Sequence, residues 1–383
     1  MFARRVLGFA VLGILASTAS ALADTDLALR KGPILHLIKD KQQVRIQSAA
    51  LAHPELEWKK AGDADGKKID LKADAYNFWE ADLPQDAAQY RILDGERRTP
   101  WFQVPNAGKD RDTFTFIAYG DNRAGWDHSD KIHRQLLANM AKDSPAFVLN
   151  TGDLVFGGDH EDYWDKFFNE GHDLFASVPF EPSIGNHDSS QRNFYGLNFD
   201  LGENKQAYYY YEYGHSVFIA LDTTRNFAPG SAQYKFLVDR LEKARGKSPI
   251  VVFFHHPAYS FSMHKSDPQV QSYLVPLFEK YGVDLVLTGH DHNYQRVGPL
   301  NGVTYIVTGG GGGPLYRVNN NPLLKSYKEV FHYIVFEVGK KSIRGTMKYR
   351  YDITDDEFEI PYRASPEASP TPQHQKDTEK ARP

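Results

Sequence analysis

The chain has 383 residues, which is enough for one large domain or for a large domain with a small one. A hydrophobic share of 41%, with 24 phenylalanines and 22 tyrosines, can fill a sizeable core, so a wholly disordered or fibrous chain is excluded. The formal net charge of −4 provides no basic surface for nucleic acid, and the absence of cysteine excludes disulfides, thiolate metal sites and a cysteine nucleophile.

The first 23 residues have the layout of a bacterial-type secretory signal peptide. Arg4 and Arg5 precede a short apolar run over residues 6–19, and residues 21–23 form an Ala-Leu-Ala cleavage site. This run is shorter than the roughly 18 apolar residues that a spanning helix needs, and no later run approaches that length. We therefore expect an exported protein, periplasmic or secreted, with no membrane span. The paired arginines leave open the general secretory or the twin-arginine route.

Residues 24–107 predict a small β-sandwich domain. Short runs with alternating polarity, such as 44–47, 56–59 and 89–93, are separated by turn sequences that contain glycine and aspartate. This segment carries no cluster of catalytic residue types, and residues 105–108 are typical of a linker.

Residues 111–363 predict an α/β layered domain with a mixed sheet. Apolar runs at 113–119, 145–149 and 249–254 alternate with helical periodicity. One helix is marked by Ser231 as its N-cap, followed by Tyr234, Leu237, Val238 and Leu241 on one face. The tyrosine-rich stretch 207–221 predicts a β-hairpin. Residues 364–383 are rich in proline and charge, which predicts a disordered tail.

Five polar motifs occur in the second domain, and most begin where an apolar run ends. They are Gly120-Asp121-Asn122-Arg123, Gly152-Asp153, Gly185-Asn186-His187-Asp188, His255-His256-Pro257 and Gly289-His290-Asp291-His292. Residues just past the carboxyl ends of strands line the ligand crevice of an α/β sheet, so we expect these side chains to meet. Each motif alone is a weak indication, but their ordered occurrence predicts one site.

The residue types in these motifs indicate a metal centre. Oxygen and imidazole ligands together suit manganese, iron or zinc. Pairs of metal ions held by a bridging carboxylate recur in phosphatases and nucleases. The sequence contains no Gly-x-Ser-x-Gly nucleophile motif.

The ordered set of aspartate, Gly-Asp, Gly-Asn-His-Asp, His-x-Pro and Gly-His-x-His resembles the calcineurin-like metallophosphoesterase superfamily. The resemblance extends to the purple acid phosphatase-like branch through residues 292–296 and the glycine run at 309–313. It implies a four-layer-type mixed β-sheet core flanked by helices, preceded by a fibronectin III-like sandwich. It also implies two divalent or trivalent metal ions, manganese, zinc or iron, and a small phosphate ester as substrate.

Matched position by position, the resemblance implies a role for each motif residue. Asp153 would bridge both ions. The remaining ligands would be Asp121 and His292 for the first ion, and Asn186, His255 and His290 for the second. A metal-bound hydroxide would be the nucleophile.

The resemblance also implies a residue that acts on the substrate and a residue that orients it. His187 resembles the residue that contacts the phosphoryl group and protonates the leaving oxygen, and Asp188 would orient it. His256 is expected to orient its neighbour His255, and His264 lies in a loop that could face the substrate.

The sequence departs from the family pattern at two positions. Arg123 stands where many members have a histidine ligand, and Phe156 stands where purple acid phosphatases have a tyrosine. Arginine has no acceptor for a cation, so Arg123 either contacts the substrate phosphate or forms a salt bridge. The first ion is therefore expected to have fewer protein ligands than the second.

Three functions remain open from the sequence. The first is hydrolysis of phosphomonoesters or phosphodiesters. The second is hydrolysis of a nucleotide or pyrophosphate, with Tyr195, Tyr259 or Tyr294 stacking on a base. The third is a non-catalytic metal- or phosphate-binding protein. The sequence does not indicate an oligomeric state.

Overall fold

A computed structural model describes residues 26–39, 41–106, 111–201, 206–350 and 352–363. The predicted signal peptide, the predicted C-terminal tail and part of the predicted linker at 105–108 lie outside the described residues.

Nine short strands form the N-terminal β-sandwich that the sequence predicts. They are β1 (Lys31–Ile38), β2 (Lys41–Gln47), β3 (Glu55–Lys59), β4 (Lys67–Asp70), β5 (Lys72–Ala73), β6 (Phe78–Leu83), β7 (Gln89–Asp94), β8 (Arg97–Arg98) and β9 (Phe102–Gln103). One antiparallel sheet has the order β1-β2-β6-β5, and the other has the order β4-β3-β7-β8 with β9 beside β7. Alternation buries Leu56 and Trp58 between the sheets and leaves Glu57 at the surface side of β3.

Thirteen strands and six helices follow within the described residues. The strands are β10 (Phe114–Tyr119), β11 (Phe147–Asn150), β12 (Phe180–Pro182), β13 (Tyr209–Tyr213), β14 (Ser216–Ala220), β15 (Ile250–Phe253), β16 (Leu285–Thr288), β17 (Tyr294–Leu300), β18 (Val303–Thr308), β19 (Leu324–Lys328), β20 (His332–Val338), β21 (Ser342–Tyr349) and β22 (Thr354–Pro361). The helices are α1 (Ser129–Lys142), α2 (Glu161–Phe175), α3 (Phe194–Phe199), α4 (Ala232–Lys243), α5 (Pro268–Tyr273) and α6 (Val275–Tyr281).

These strands form two mixed sheets packed face to face. The first has the order β12-β11-β10-β20-β21-β22, and the second has the order β13-β14-β15-β16-β18-β17-β19. Strands β10, β11 and β12 run parallel, as do β14, β15, β16 and β18. The Phe218 ring of the second sheet lies 5.3 Å from Phe116 and 5.0 Å from Phe147 of the first, so aromatic side chains fill the space between the sheets.

Helices cover the outer faces and complete four layers. In β15, Val251 belongs to the cluster between the sheets, whereas Val252 belongs to the cluster that contains Leu237 and Leu241 of α4. Both faces of such a strand are buried, which explains the continuous apolar runs in the sequence. Helix α4 begins as predicted, because the Ser231 side chain accepts a hydrogen bond from the Tyr234 amide.

The sandwich is fastened to the α/β core by a buried arginine. Arg45 donates from Nε to the Asn198 carbonyl at 3.1 Å and from Nη2 to the Leu197 carbonyl at 2.7 Å, while Nη1 pairs with Glu80 at 2.7 Å. A guanidinium shared in this way ties strand β2 of the sandwich to helix α3 of the core.

Candidate metal centre

The five motifs lie on loops that leave one edge of the two packed sheets. Asp121 follows β10, Asp153 follows β11 and Asn186 follows β12, while His255 follows β15 and His290 follows β16. Parallel strands deliver these loops to the same edge, as the sequence predicts.

One half of the site contains Asp121, Asp153 and His292. All three are fully buried, and one ligand atom of each lies within 4.8 Å of the others. His292 Nδ1 faces the Pro314 carbonyl at 2.7 Å and therefore carries the proton, which leaves Nε2 available as a lone pair. This Nε2 is buried without a hydrogen-bond partner and lies 3.4 Å from Asp121 Oδ1. An unpartnered imidazole nitrogen between buried carboxylates fits a metal ion.

The other half of the site centres on His255. Its Nδ1 faces the Thr151 carbonyl at 2.9 Å and therefore carries a proton, so Nε2 is the nitrogen that would offer a lone pair to a metal ion. This Nε2 lies 3.0 Å from Asn186 Oδ1, 3.2 Å from His290 Nδ1 and 3.4 Å from Asp153 Oδ1. Two oxygen atoms and a second imidazole nitrogen around this Nε2 are the ligand types that a bound cation would share with it.

The backbone at these residues is held in an uncommon conformation. Asp121, Asp153 and His290 have φ values of 60°, 55° and 71°, in the left-handed region that side chains other than glycine disfavour. Such residues persist where the surrounding structure fixes them, and they concentrate at functional sites. Two glycines allow the close packing. A Cβ atom on Gly185 would lie 2.2 Å from Asp153 Oδ1, and one on Gly289 would lie 2.3 Å from Asp121 Oδ2.

The charges of the site favour an ionised Asp153. Burial opposes ionisation, but the neighbouring His255 and Arg123 outweigh it and lower the pKa of Asp153 below its ordinary value. Burial, followed by the adjacent His255 and His256, lowers the pKa of His290 far below its ordinary value. An ionised carboxylate and a neutral imidazole are the forms that bind metal.

Arg123 forms an ion pair with the carboxylate predicted to bridge the two ions. Its Nη2 donates to Asp153 Oδ2 at 3.0 Å, and both side chains are buried. The sequence left two roles open for Arg123, and the structure shows the salt bridge. The contact with a substrate phosphate stays a prediction. The Arg123 Nε is buried without a hydrogen-bond partner.

Comparison with known proteins gives the family. The Calcineurin-like phosphoesterase family matches residues 114–294, which include all six predicted ligands. Residues 114–294 form a calcineurin-like metallophosphoesterase domain. It is 27% identical to a probable inactive purple acid phosphatase 1 of Arabidopsis thaliana over 48% of the chain and 36% of that relative. It is 26% identical to a nucleotide pyrophosphatase/phosphodiesterase of Hordeum vulgare over 45% of the chain and 59% of that relative.

Among solved structures, this metallophosphoesterase shares its fold with purple acid phosphatase PPD1 from yellow lupin (Lupinus luteus) seeds. The match has a TM-score of 0.73 at 18% sequence identity and covers 86% of this chain and 74% of the lupin chain. The matched part spans less than two thirds of the length of either curated relative. No helix in the described part of the metallophosphoesterase is long and apolar enough to cross a membrane.

His187 lies beside the predicted ligands of the metallophosphoesterase and contacts Asp153 through its backbone and Phe156 through its ring. Its amide donates to Asp153 Oδ1 at 2.9 Å, while ring Nδ1 donates to the Phe156 carbonyl at 2.7 Å. The side chain therefore presents Nε2 as its remaining nitrogen.

Asp188, predicted to orient the His187 ring, contacts backbone amides of two loops in this structure. The buried Asp188 carboxylate accepts hydrogen bonds from the amides of Val155 at 3.0 Å and Gly185 at 2.8 Å. The Phe156 carbonyl holds the ring instead. Asp188 fixes the two loops that carry Asp153 and Asn186, a role that its position next to His187 in the chain conceals.

Two residues outside the five motifs, His264 and Tyr316, also lie at the site. The His264 ring centroid lies 4.1 Å from that of His290, and the Tyr316 ring stacks on His292 at 4.3 Å and 13°. His264 was recognised only as a histidine in the loop after the His-His-Pro motif. Tyr316 had one faint indication, its position three residues after the glycine run.

Other aromatic residues considered from the sequence do not serve the site as expected. Tyr195 and Tyr294 are buried, with their hydroxyls bonded to the Pro182 carbonyl and to Asp356, so neither can stack on a base. The glycine run closes over the first motif, since the amides of Gly311 and Gly313 donate to backbone carbonyls there.

Proposed function

We propose that this metallophosphoesterase hydrolyses small phosphate esters with two metal ions held by Asp121, Asp153, Asn186, His255, His290 and His292. The observation that carries the proposal is the convergence of imidazole nitrogens with carboxylate and amide oxygens, at 3.0 to 3.4 Å around His255 Nε2 and at 3.4 Å beside His292 Nε2. Their oxygen and nitrogen chemistry suits manganese, zinc or iron.

Bound metal ions supply positive charge for the phosphoryl oxygens and lower the pKa of coordinated water. The protein's own residues then have to hold the substrate in line and deliver a proton to the leaving oxygen. His187 is placed for the second task, because the Phe156 carbonyl holds the Nδ1 proton and leaves Nε2 to exchange a proton with the substrate. His264, beside His290, is placed to contact the phosphoryl group.

Two alternatives draw on the relatives. The Hordeum vulgare relative is named for nucleotide pyrophosphate and phosphodiester substrates, so the same site acting on a nucleotide is a second candidate. The Arabidopsis thaliana relative is named as probably inactive, which keeps a non-catalytic metal- or phosphate-binding protein as a third. The proton-bearing geometry of His187 favours catalysis, since a binding protein has no need to position it.

We also propose that the protein is exported. The support is the positively charged start, apolar run and Ala-Leu-Ala site within residues 1–23. N-terminal sequencing of protein recovered from the periplasm and medium of a bacterial host tests this, and an intact Met1 in that fraction contradicts it.

A substrate panel tests the catalytic proposal. Metal-restored protein is assayed with a phosphomonoester, a phosphodiester, a nucleoside triphosphate and a dinucleotide pyrophosphate, each with manganese, zinc or iron. Turnover of simple esters supports the first function, and turnover confined to nucleotides supports the second. Tight metal binding with no turnover of any compound would leave the third.

A further inference from the structure

We propose that Trp126 selects the organic group of the substrate, and that this group carries a flat aromatic ring, as an aryl ester or a nucleotide does. The inference rests on the proposed function and concerns the side of the site where the leaving group emerges.

Trp126 is unusual because it is a large aromatic side chain left open to solvent beside a buried polar site. It is 38% exposed, whereas the buried Trp164 is fully enclosed. It lies three residues after Arg123, whose guanidinium contacts Asp153. The exposed part of its ring is therefore accessible to a ligand.

A chain of ring contacts connects Trp126 with the residue expected to protonate the leaving oxygen. The Trp126 ring centroid lies 4.3 Å from that of Phe156, and the Phe156 ring lies 5.6 Å from His187. The Phe156 carbonyl also accepts the His187 Nδ1 proton. The Trp126 ring is therefore separated from His187 by one aromatic ring, within reach of the organic group of an ester whose leaving oxygen His187 protonates.

The Trp126 ring stands on a fixed turn. Its amide donates to the Arg123 carbonyl at 3.1 Å, and its own carbonyl accepts from the Ser129 amide at 2.9 Å. The preceding Gly125 amide donates to Asp130 Oδ1 at 2.8 Å. Phe156 supports the ring from behind, so little conformational freedom is lost when a ligand stacks on it.

These ring contacts explain why a phenylalanine can replace the tyrosine at position 156. Where a tyrosine would point a hydroxyl at an ion, this chain places a ring that packs between Trp126 and His187. The departure from the family pattern thus removes a ligand and at the same time supports an aromatic surface. Stacking on such a surface favours any flat π-system and carries no preference for a saturated group of equal size.

Two matched pairs of esters test the inference. Benzyl phosphate and cyclohexylmethyl phosphate are both esters of primary alcohols and differ in ring aromaticity. Adenosine 5′-monophosphate and ribose 5-phosphate differ by the base. Full-length, metal-restored wild type is compared with Trp126→Ala, Trp126→Leu and Trp126→Phe, and with Tyr76→Ala, which removes an exposed aromatic ring in the sandwich.

We expect Trp126→Ala and Trp126→Leu to lower kcat/KM about 5- to 150-fold for the aromatic member of a pair, as stacking contributions predict. The saturated member should change less than about twofold. Trp126→Phe should retain most of the preference, and Tyr76→Ala should behave as wild type. A loss confined to the benzyl pair assigns an aryl substrate, and a loss confined to the adenosine pair assigns a nucleotide.

Equal losses on both members of both pairs, or no loss, would overturn the inference while leaving ester hydrolysis intact. Should wild type hydrolyse none of these four monoesters, the wider substrate panel decides the proposed function, and binding decides the inference separately. Calorimetry with benzylphosphonate and cyclohexylmethylphosphonate then gives the answer, and equal affinities for wild type would overturn the role of Trp126.

Discussion

Arg123 Nη2 lies 3.0 Å from Asp153 Oδ2. The carboxylate that is predicted to bridge two metal ions is therefore paired with a permanent positive charge. Arginine stays protonated at any pH that the protein tolerates. The guanidinium neutralises part of the charge that would otherwise attract a cation, and Phe156 offers no ligand in compensation. The two ions are therefore expected to bind with unequal strength.

Removal of this charge should strengthen the weaker metal site. In wild type, graded dialysis should release one ion well before the other. Arg123→Ala should hold the more weakly bound first ion about tenfold or more tightly, because charges near 4 Å apart interact by roughly 4 kcal/mol at an effective dielectric of 20. Metal content measured by elemental analysis during dialysis checks this, with Arg123→Lys as the charge-retaining control. Simultaneous loss of both ions in wild type would show that another residue completes the first site.

The His187 side chain should matter for turnover and not for metal binding. His187→Ala should keep its metal content, since the amide that contacts Asp153 is unchanged by the substitution. Turnover should fall about 10²- to 10⁴-fold, as for a general acid–base residue. Parallel metal analysis and steady-state kinetics measure both, with the exposed His53→Ala as control. A variant that loses metal would make His187 a ligand.

Asp284 should make stability depend on pH. Burial raises the pKa of Asp284 from 3.8 to about 6, against the hydrogen bond that its Oδ2 accepts from the Ile250 amide at 2.8 Å. The folded state holds this proton more tightly than the unfolded state does. Its contribution is therefore fully present below pH 4 and is lost as the pH rises through 6.

Asp284→Asn keeps an acceptor for the Ile250 amide and removes the titration. It should stabilise the fold at pH 7 by up to about 3 kcal/mol relative to its effect at pH 4, since the two-unit shift is worth that much. Urea unfolding at both pH values measures it, with the exposed Asp65→Asn as control. An equal effect of Asp284→Asn at the two pH values would show that the buried carboxyl does not titrate in this range.

Much of the fold was predictable because it depends on local patterns. The apolar runs before Asp121 and Asp153 became buried parallel strands, and Ser231 capped a helix through a contact only three residues away. The hairpin predicted within 207–221 appears as β13 and β14. Strand ends could be located from such patterns, so the meeting of the motifs at one edge followed from topology.

The remaining features depend on contacts between residues far apart in the chain. Asp188 binds the Val155 amide 33 residues away, and Arg123 pairs with Asp153 30 residues away. No periodicity encodes such partners. The burial of a single aromatic side chain likewise depends on residues far away in the chain and is not encoded by a local pattern. Tyr195 and Tyr294 were candidates for stacking on a base, but tertiary packing encloses both.

The most direct test of the account is to follow phosphate ester hydrolysis against bound metal in one titration. Protein stripped with chelator is restored stepwise with manganese, zinc or iron, and rate and metal content are measured on the same samples. The account predicts no hydrolysis in the stripped protein, and a rate that rises as the weaker site fills toward two ions per chain. An unchanged rate in the stripped protein would contradict the metal mechanism. A full rate at one ion per chain would contradict the dinuclear centre.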